Sequence, residues 1–176
     1  NTLIIFLSDN GACAEDIPDG VTARELVDQL MIAKAKTRTG KPVRLGNDPT
    51  LMPGGEDTYQ SYGTAWANLS NSPFRLYKHW IHEGGIATPF IVHWPAGFSA
   101  RDELRHNPGH VVDVVPTILE AAGAVRPKNQ DGQTPLLHGK SLVPILTKDN
   151  SLPHDFLWWS HEGNRAIRAG NWKLVA

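Results

Sequence analysis

A carboxylate, a carboxamide and a glycine stand almost directly after an apolar run near the start of the chain. The run covers residues 3–7, and Ser8, Asp9, Asn10 and Gly11 follow it. Carboxylate and amide oxygens are the hard ligands that Ca²⁺ and Mg²⁺ prefer, and a glycine lets the backbone turn tightly after them. A plain Asx turn is the simpler alternative, because Asn-Gly is common in turns and because two ligands are fewer than the roughly 6–8 oxygens that Ca²⁺ takes.

A second candidate for chemistry lies in residues 71–89, which read NSPFRLYKHWIHEGGIATP. The cations Arg75 and Lys78 precede an acidic Gly-Gly turn. Such a layout can aim Lys78 at an anionic group, because a lysine ammonium is a compact point charge. Taken alone, an ordinary solvated basic loop explains the same residues. The histidines nearby have no spacing that is typical of a zinc site.

Composition and charge exclude several classes of function. At 176 residues the chain has room for one domain with a real core, and its apolar fraction of 40% is ordinary for a globular protein. A formal net charge of −1 without a basic block gives no indication of a nucleic-acid partner. Cys13 is the only cysteine, which excludes an internal disulfide and a cysteine zinc site. No apolar stretch has the length of a membrane span.

The first part of the chain predicts a strand, a helix and an insertion. Residues 3–7 are continuously apolar, which is typical of a strand buried on both faces of a parallel sheet. Thr22 and Glu25 have the spacing of a capping box and predict a helix over residues 23–36. Residues 37–71 are punctuated by Gly, Pro, Asn and Asp, and they read as a long irregular insertion. Long loops are often functional, so the insertion is a candidate wall of a site.

The second half of the chain predicts a further strand and a further helix. The strand covers residues 86–94 and ends at a Pro-Ala-Gly turn. The helix covers residues 114–122, with Asp113 as its N-terminal cap and Gly123 as its stop signal. Pro116 falls in the first turn of this helix, where its missing N–H costs nothing.

The tail predicts a short helical turn over residues 141–146 and then a hairpin. The hairpin strands are residues 166–168 and 172–175, on either side of a Gly-Asn turn. The order of the elements indicates an α/β fold, with a main domain over residues 1–147 and a small antiparallel subdomain that begins at residue 148. Ligands of an open α/β sheet bind beyond the C-terminal ends of its strands, where the metal-ligand candidates would lie.

Four blocks of this sequence resemble, in the same order, the later half of type I sulfatases of the arylsulfatase kind. They are LIIFLSDNG, NSPFRLYKHWIHEGGIATPFIVHWPAG, HVVDVVPTILEAAGA and HEGNRAIRAGNWKLV. The resemblance implies the later part of an alkaline-phosphatase-like sheet, flanked by helices and followed by a small antiparallel C-terminal element. It also implies hydrolysis of a small-molecule or carbohydrate sulfate ester at a site with one divalent cation, Ca²⁺ or alternatively Mg²⁺. Because bacterial members are commonly exported, a periplasmic or secreted protein is expected.

The resemblance assigns roles to three residues. The SDNG match implies that Asp9 and Asn10 are metal ligands and that Asp9 also helps to activate the nucleophile. The RLYK match implies that Lys78 contacts the sulfate group and the bridging oxygen of the ester. Arg75 and His79 are candidates for residues that surround the site residues without contacting the sulfate group themselves.

Other residues in the matched blocks are given structural roles. The Glu83-Gly84-Gly85 stretch is expected to shape a turn, Asp113 to cap a helix, and the Trp172-Lys173 pair to pack the hairpin.

The nucleophile of the family is a formylglycine made from Cys or Ser in a Cys/Ser-x-Pro/Ala-x-Arg motif. Cys13 is followed by Ala-Glu-Asp-Ile and lacks that context, and no serine of this chain supplies the motif. The resemblance therefore implies that the formylglycine and the other metal-binding aspartates lie in an N-terminal half of the same protein that is missing here. The chain is then expected to be a fragment that is inactive by itself and that associates through exposed apolar surface.

Two other functions are compatible with the same residues. A phosphodiesterase or phosphonate monoester hydrolase of the same superfamily could share the fold and the Asp9-Asn10 pair. A non-catalytic sulfatase-like binding domain is the alternative from another class, although the intact Asp9, Asn10 and Lys78 argue against it. In the insertion, Tyr62 and Trp66 could stack on a substrate ring or pack the loop onto the core.

Overall fold

The computed structural model describes residues 2–18, 20–25, 35–99, 102–148 and 154–176. The chain forms two compact units, one made of residues 1–9 with 88–176 and the other of residues 10–87. The predicted division between residues 147 and 148 stays a prediction.

Within the described ranges the chain has seven strands, four complete α-helices and a helical stretch over residues 23–25. The strands are β1 (Ile4–Leu7), β2 (Arg44–Leu45), β3 (Thr58–Tyr59), β4 (Phe90–His93), β5 (Leu157–His161), β6 (Asn164–Ala169) and β7 (Trp172–Val175). The helices are α1 (Gly63–Asn71), α2 (Glu83–Ile86), α3 (Val114–Ala121) and α4 (Val143–Lys148), and a 3₁₀ turn over Val111–Asp113 leads into α3. The fold is thus mixed α/β with small sheets, which agrees with the predicted class.

Strand β1 differs from its prediction in both partner and burial. It pairs antiparallel with β4, with Phe6 opposite Ile91, rather than in a parallel sheet. Ile4 and Phe6 are 55% and 58% exposed, because a two-stranded ribbon covers only one of its faces. The apolar run therefore predicted the strand correctly, but burial on both faces was wrong. Strand β4 also begins later than predicted, because Ile86 ends helix α2.

Helix α3 begins and ends close to the predicted residues, but Asp113 does not cap it. The carboxylate of Asp113 makes no capping bond to α3 and is completely buried. It accepts hydrogen bonds from the backbone N–H groups of His110 and Lys140 and from Nε2 of His154, each at 2.8 Å. Asp113 therefore stands at the predicted N-cap position of α3, but its carboxylate closes a capping box on the preceding 3₁₀ turn and bonds to two distant segments instead of capping α3.

Thr117 extends the same buried polar network. Its hydroxyl donates to the backbone oxygen of Asp113 at 2.6 Å and accepts the N–H of Leu142 at 2.9 Å. Helix α4 follows Leu142, close to the predicted turn, and buries Ile145. The network and these two apolar side chains form the core next to α3.

The C-terminal sheet contains the predicted hairpin and one further strand. Strands β6 and β7 flank the Gly-Asn turn, and β5 pairs with the other edge of β6. The ammonium of Lys173 lies 5.3 Å from the ring centroid of Trp159, whereas Trp172 is 82% exposed. Lys173 therefore packs in the hairpin as expected, but Trp172 does not.

Among its described residues, the second unit has less regular structure than the first. Strands β2 and β3 form a short parallel pair, and helix α1, which the sequence did not predict, follows them. The predicted capping box is present, because Thr22 and Glu25 exchange hydrogen bonds and residues 23–25 are helical. Most of the predicted helix, residues 26–34, lies outside the described residues, and Lys36 at its predicted end forms a β-bridge instead.

No helix among the described residues combines the length and the hydropathy that a membrane crossing requires.

Candidate active site

The two candidate metal ligands follow strand β1 directly. The backbone oxygen of Ser8, just before them, accepts the hydroxyl of Thr88 at 3.0 Å. Asp9 is exposed and Asn10 is half-buried. Within the described part of the chain, neither side chain takes part in a hydrogen bond or an ion pair. Their oxygens are therefore available to a ligand from outside the chain.

Two backbone hydrogen bonds connect the residues after Asn10 to the loop that carries Lys78. The N–H of Gly11 donates to the oxygen of Gly85 at 2.9 Å, and the N–H of Lys78 donates to the oxygen of Ala12 at 3.0 Å. The backbone of Lys78 is thus bonded to Ala12, which lies two residues after Asn10. The structure brings Asn10 and Lys78 to the same part of the second unit.

Asn71 holds both of these segments at once. It is the last residue of α1, and its side-chain oxygen accepts the N–H of Ala12 at 3.1 Å while its amide donates to the oxygen of Leu76 at 3.0 Å. A single side chain therefore satisfies a donor on one segment and an acceptor on the other. Sequence reasoning assigned no role to Asn71.

Buried glycines allow the loop to approach the chain this closely. A Cβ on Gly11 would lie 1.8 Å from the oxygen of Gly84, and a Cβ on Gly84 would lie 1.9 Å from the oxygen of Leu76. A Cβ on Gly85 would lie 1.8 Å from the oxygen of Trp80. All of these neighbours are backbone atoms, so any larger residue would displace the loop. The glycines do shape a turn, as expected, and the turn is the short helix α2.

The backbone around Lys78 is held in an uncommon conformation. Leu76 and His79 have φ angles of 65° and 90°, in the left-handed region that side chains other than glycine rarely adopt. Such residues persist where the surrounding structure determines them, and they concentrate at functional sites. The hydrogen bonds of Lys78 and Leu76 to Ala12 and Asn71 provide that surrounding structure.

The ammonium of Lys78 faces a carboxylate that sequence reasoning did not assign. Its Nζ lies 3.6 Å from Oε1 of Glu15, and the two side chains are 43% and 76% exposed. The lysine is therefore accessible to an incoming anion. No sequence signal identified Glu15, because its separation from Lys78 follows only from the folded loop.

The remaining candidates lie on the surface of this unit. Arg75 is exposed, and its backbone oxygen accepts the N–H of Gly84 at 2.9 Å. The ring of His79 packs edge-on against Trp80, with centroids 5.5 Å apart. Tyr62 and Trp66 lie 6.4 Å apart by ring centroid and are 45% and 60% exposed, so neither packs the insertion into a core.

Comparison with known proteins identifies the family. The family model described as sulfatase matches residues 1–124, which include Asp9, Asn10 and Lys78. The chain belongs to the sulfatase family. The resemblance inferred from the four sequence blocks is thereby confirmed.

Several curated sulfatases are similar to this chain. An uncharacterized sulfatase of Schizosaccharomyces pombe is 32% identical over 99% of the chain and 30% of its own length. An arylsulfatase of Klebsiella aerogenes is 30% identical over 78% of the chain and 26% of its own length. The mouse steryl-sulfatase is 33% identical over 58% of the chain and 15% of its own length. The chain thus spans less than a third of the length of each of these relatives.

Proposed function

We propose that the full-length protein hydrolyses sulfate esters by an arylsulfatase-like reaction at a site that holds a divalent cation. Membership of the sulfatase family supports the class of reaction. The observation that carries the site is the hydrogen bond from the backbone N–H of Lys78 to the oxygen of Ala12, because it anchors the backbone of a cationic residue beside the segment that follows Asp9 and Asn10. A small-molecule or carbohydrate sulfate ester is the proposed substrate.

In this proposal Lys78 meets the negative charge of the ester. Its ammonium contacts the sulfate oxygens and stabilises the charge that grows on the bridging oxygen as the ester bond to the leaving group breaks. A charged donor fixed in place before the reaction stabilises the transition state without reorganisation. The hydrogen-bonded loop, with its buried glycines and its support from Asn71, supplies that fixed position.

Asp9 and Asn10 would hold the cation. A carboxylate and an amide oxygen fit a hard ion such as Ca²⁺ or Mg²⁺, and no other described group engages either side chain. The cation, when bound, supplies positive charge for the sulfate oxygens. Asp9 is also proposed to help activate a formylglycine nucleophile that another part of the full-length protein provides. The chain alone is accordingly proposed to be inactive.

The test uses the full-length protein and three model esters. We expect hydrolysis of 4-nitrophenyl sulfate, loss of that activity after treatment with a chelator, and its recovery with Ca²⁺. Faster hydrolysis of bis(4-nitrophenyl) phosphate or of a phosphonate monoester would contradict the proposal and favour a phosphoester hydrolase. No turnover of any ester, with Ca²⁺ present, would favour a non-catalytic binding domain.

A pair of variants tests the metal assignment. Asn10→Ala removes one neutral oxygen ligand, so a higher concentration of Ca²⁺ should be needed for half-maximal activity. Asn68→Ala is the matched control, because Asn68 is exposed on α1 and, among the described residues, its side chain bonds only to the backbone oxygen of Thr64. Equal Ca²⁺ requirements for the two variants would overturn the role of Asn10.

A further inference from the structure

The segment after Asn10 is fixed at two places, and Glu15 lies at one of them. The backbone oxygen of Glu15 accepts the N–H of Gly63, the first residue of α1, at 3.3 Å. Two residues later, the N–H of Ile17 donates to the hydroxyl of Ser61 at 3.0 Å. Since the backbone of Ala12 is held by Lys78 and Asn71, the segment that carries Glu15 is tied down at both ends.

Lys78 and Glu15 therefore meet on two anchored segments rather than on free loops. Their charged atoms lie 3.6 Å apart. In the part of the chain that the structure describes, each is the other's only partner in an ion pair. Both side chains are partly exposed, so the pair is accessible to solvent and to a ligand.

We propose that Glu15 is a positioning residue that holds the Lys78 ammonium in the substrate-free enzyme and is displaced by the anionic ester. The inference rests on the proposed function, in which Lys78 receives the sulfate group. A carboxylate beside that lysine binds the ammonium, so an incoming anion must take its place. The sulfate group and Glu15 thus compete for the same cation, and the strength of the pair adjusts the affinity for anionic substrate.

The size of the effect follows from the exposure of the pair. Exposed ion pairs are weak, and the range measured for them corresponds to about a 1.4- to 5-fold change in an equilibrium constant. The competition for the ammonium acts on binding of the anion, before the ester bond breaks. Because Lys78 stays in place after Glu15 is displaced, kcat should be unaffected.

The experiment compares Glu15→Gln with the wild type in the full-length enzyme. Removing the competing charge should lower the KM for 4-nitrophenyl sulfate and the inhibition constant of inorganic sulfate by about 1.4- to 5-fold, with the same kcat. The difference should shrink at high ionic strength, because salt screens exposed charges. Unchanged KM and inhibition constants, or a lower kcat, would overturn the proposal.

Two further variants test whether Glu15 acts specifically and only through Lys78. Glu56→Gln removes the carboxylate of another exposed ion pair, 3.7 Å from Arg38 in the same unit, and should change neither constant. In a Lys78→Ala background Glu15→Gln should have no effect, because Glu15 acts only through the lysine. An effect that persists in that background would refute the inference and leave the proposed function standing. Wild-type kcat/KM for Lys78→Ala alone would instead refute the proposed function, and the inference with it.

Discussion

Substituting Gly84 by alanine should impair catalysis without touching any reacting group. The added Cβ would lie 1.9 Å from the backbone oxygen of Leu76 and 2.5 Å from that of Arg75. An ordinary contact between a carbon and an oxygen is about 3.3 Å, so the loop would have to move by more than an ångström. Both neighbours are backbone atoms of the loop that carries Lys78, so this movement would shift the lysine.

The expected magnitudes follow from that displacement. Inserting a methyl group into a filled site costs about 1–3 kcal/mol, and contact with backbone places Gly84→Ala near the upper end of this range. A misplacement of about 1 Å can reduce a rate about 100-fold. We therefore expect kcat/KM for an aryl sulfate to fall about 100-fold in the full-length enzyme, and the midpoint of urea unfolding to fall as well.

Gly40→Ala is the matched control for this substitution. Gly40 lies in the same unit, and a Cβ there would have no atom within 4 Å. Its φ of 83° still disfavours alanine, so stability should drop by roughly 1–2 kcal/mol while kcat/KM stays unchanged. If Gly84→Ala lost only as much kcat/KM as Gly40→Ala, the packing of the glycines would not position Lys78.

Two predictions concern the buried network around Asp113. Asp113→Asn places an amide where a completely buried carboxylate accepts three hydrogen bonds, so the free energy of unfolding should fall by about 3–5 kcal/mol. The control Asp48→Asn changes an exposed carboxylate and should alter the urea midpoint little. An equal loss of stability in the two variants would contradict this prediction. Burial lowers the pKa of His110 from its ordinary 6.5, and this outweighs the attraction of Asp113. The imidazole of His110 therefore binds a proton more readily in the unfolded chain than in the folded chain. Its contribution to stability is full above pH 6.5 and is lost as the pH falls from 6.5 toward the lower pKa of the folded state. His110→Gln should flatten the urea midpoint against pH in that window, and an unchanged slope would refute the shift.

Local signals in the sequence were sufficient for several elements. The helix before Gly123 was predicted from its N-cap candidate Asp113, from Pro116 in its first turn and from Gly123 as its stop signal, and Gly123 has a positive φ of 62°. The hairpin was predicted from the Gly-Asn turn between two short strands, and β6 and β7 flank that turn. These features depend on residues that are close in sequence, so their patterns identify them.

Other features depend on partners that a local pattern does not specify. The apolar run of β1 is compatible with either strand direction, and its antiparallel partner β4 is more than 80 residues away. Helix α1 has no side-chain cap and buries only Gly63 and Ala67, so it lacks the apolar stripe by which helices are predicted. Helix α1 also begins at Gly63, and a glycine with a positive φ, here 74°, is typical of a turn rather than of a helix.

The candidate site shows the same division between local and distant information. Asp9, Asn10 and Lys78 were predicted as site residues from short motifs and from the family resemblance. Glu15 and Asn71 act only through contacts across the fold, such as the hydrogen bond from Ala12 to Asn71, whose partners are 59 residues apart. Asp113 was predicted only as a local helix cap, because its bond to His154 joins residues 41 positions apart and leaves no local pattern in the sequence.

The central claim is that Lys78 stabilises charge on the sulfate group and on the bridging oxygen. Its most direct test is kcat/KM of full-length Lys78→Ala for a series of aryl sulfates whose phenols differ in pKa. We expect losses of about 10²–10³-fold that extra Ca²⁺ does not restore, and smaller losses for esters with better leaving groups, because these need less stabilisation of the bridging oxygen. An equal loss for every ester would contradict the role of Lys78 at the bridging oxygen, and no loss for any ester would contradict its place in the site.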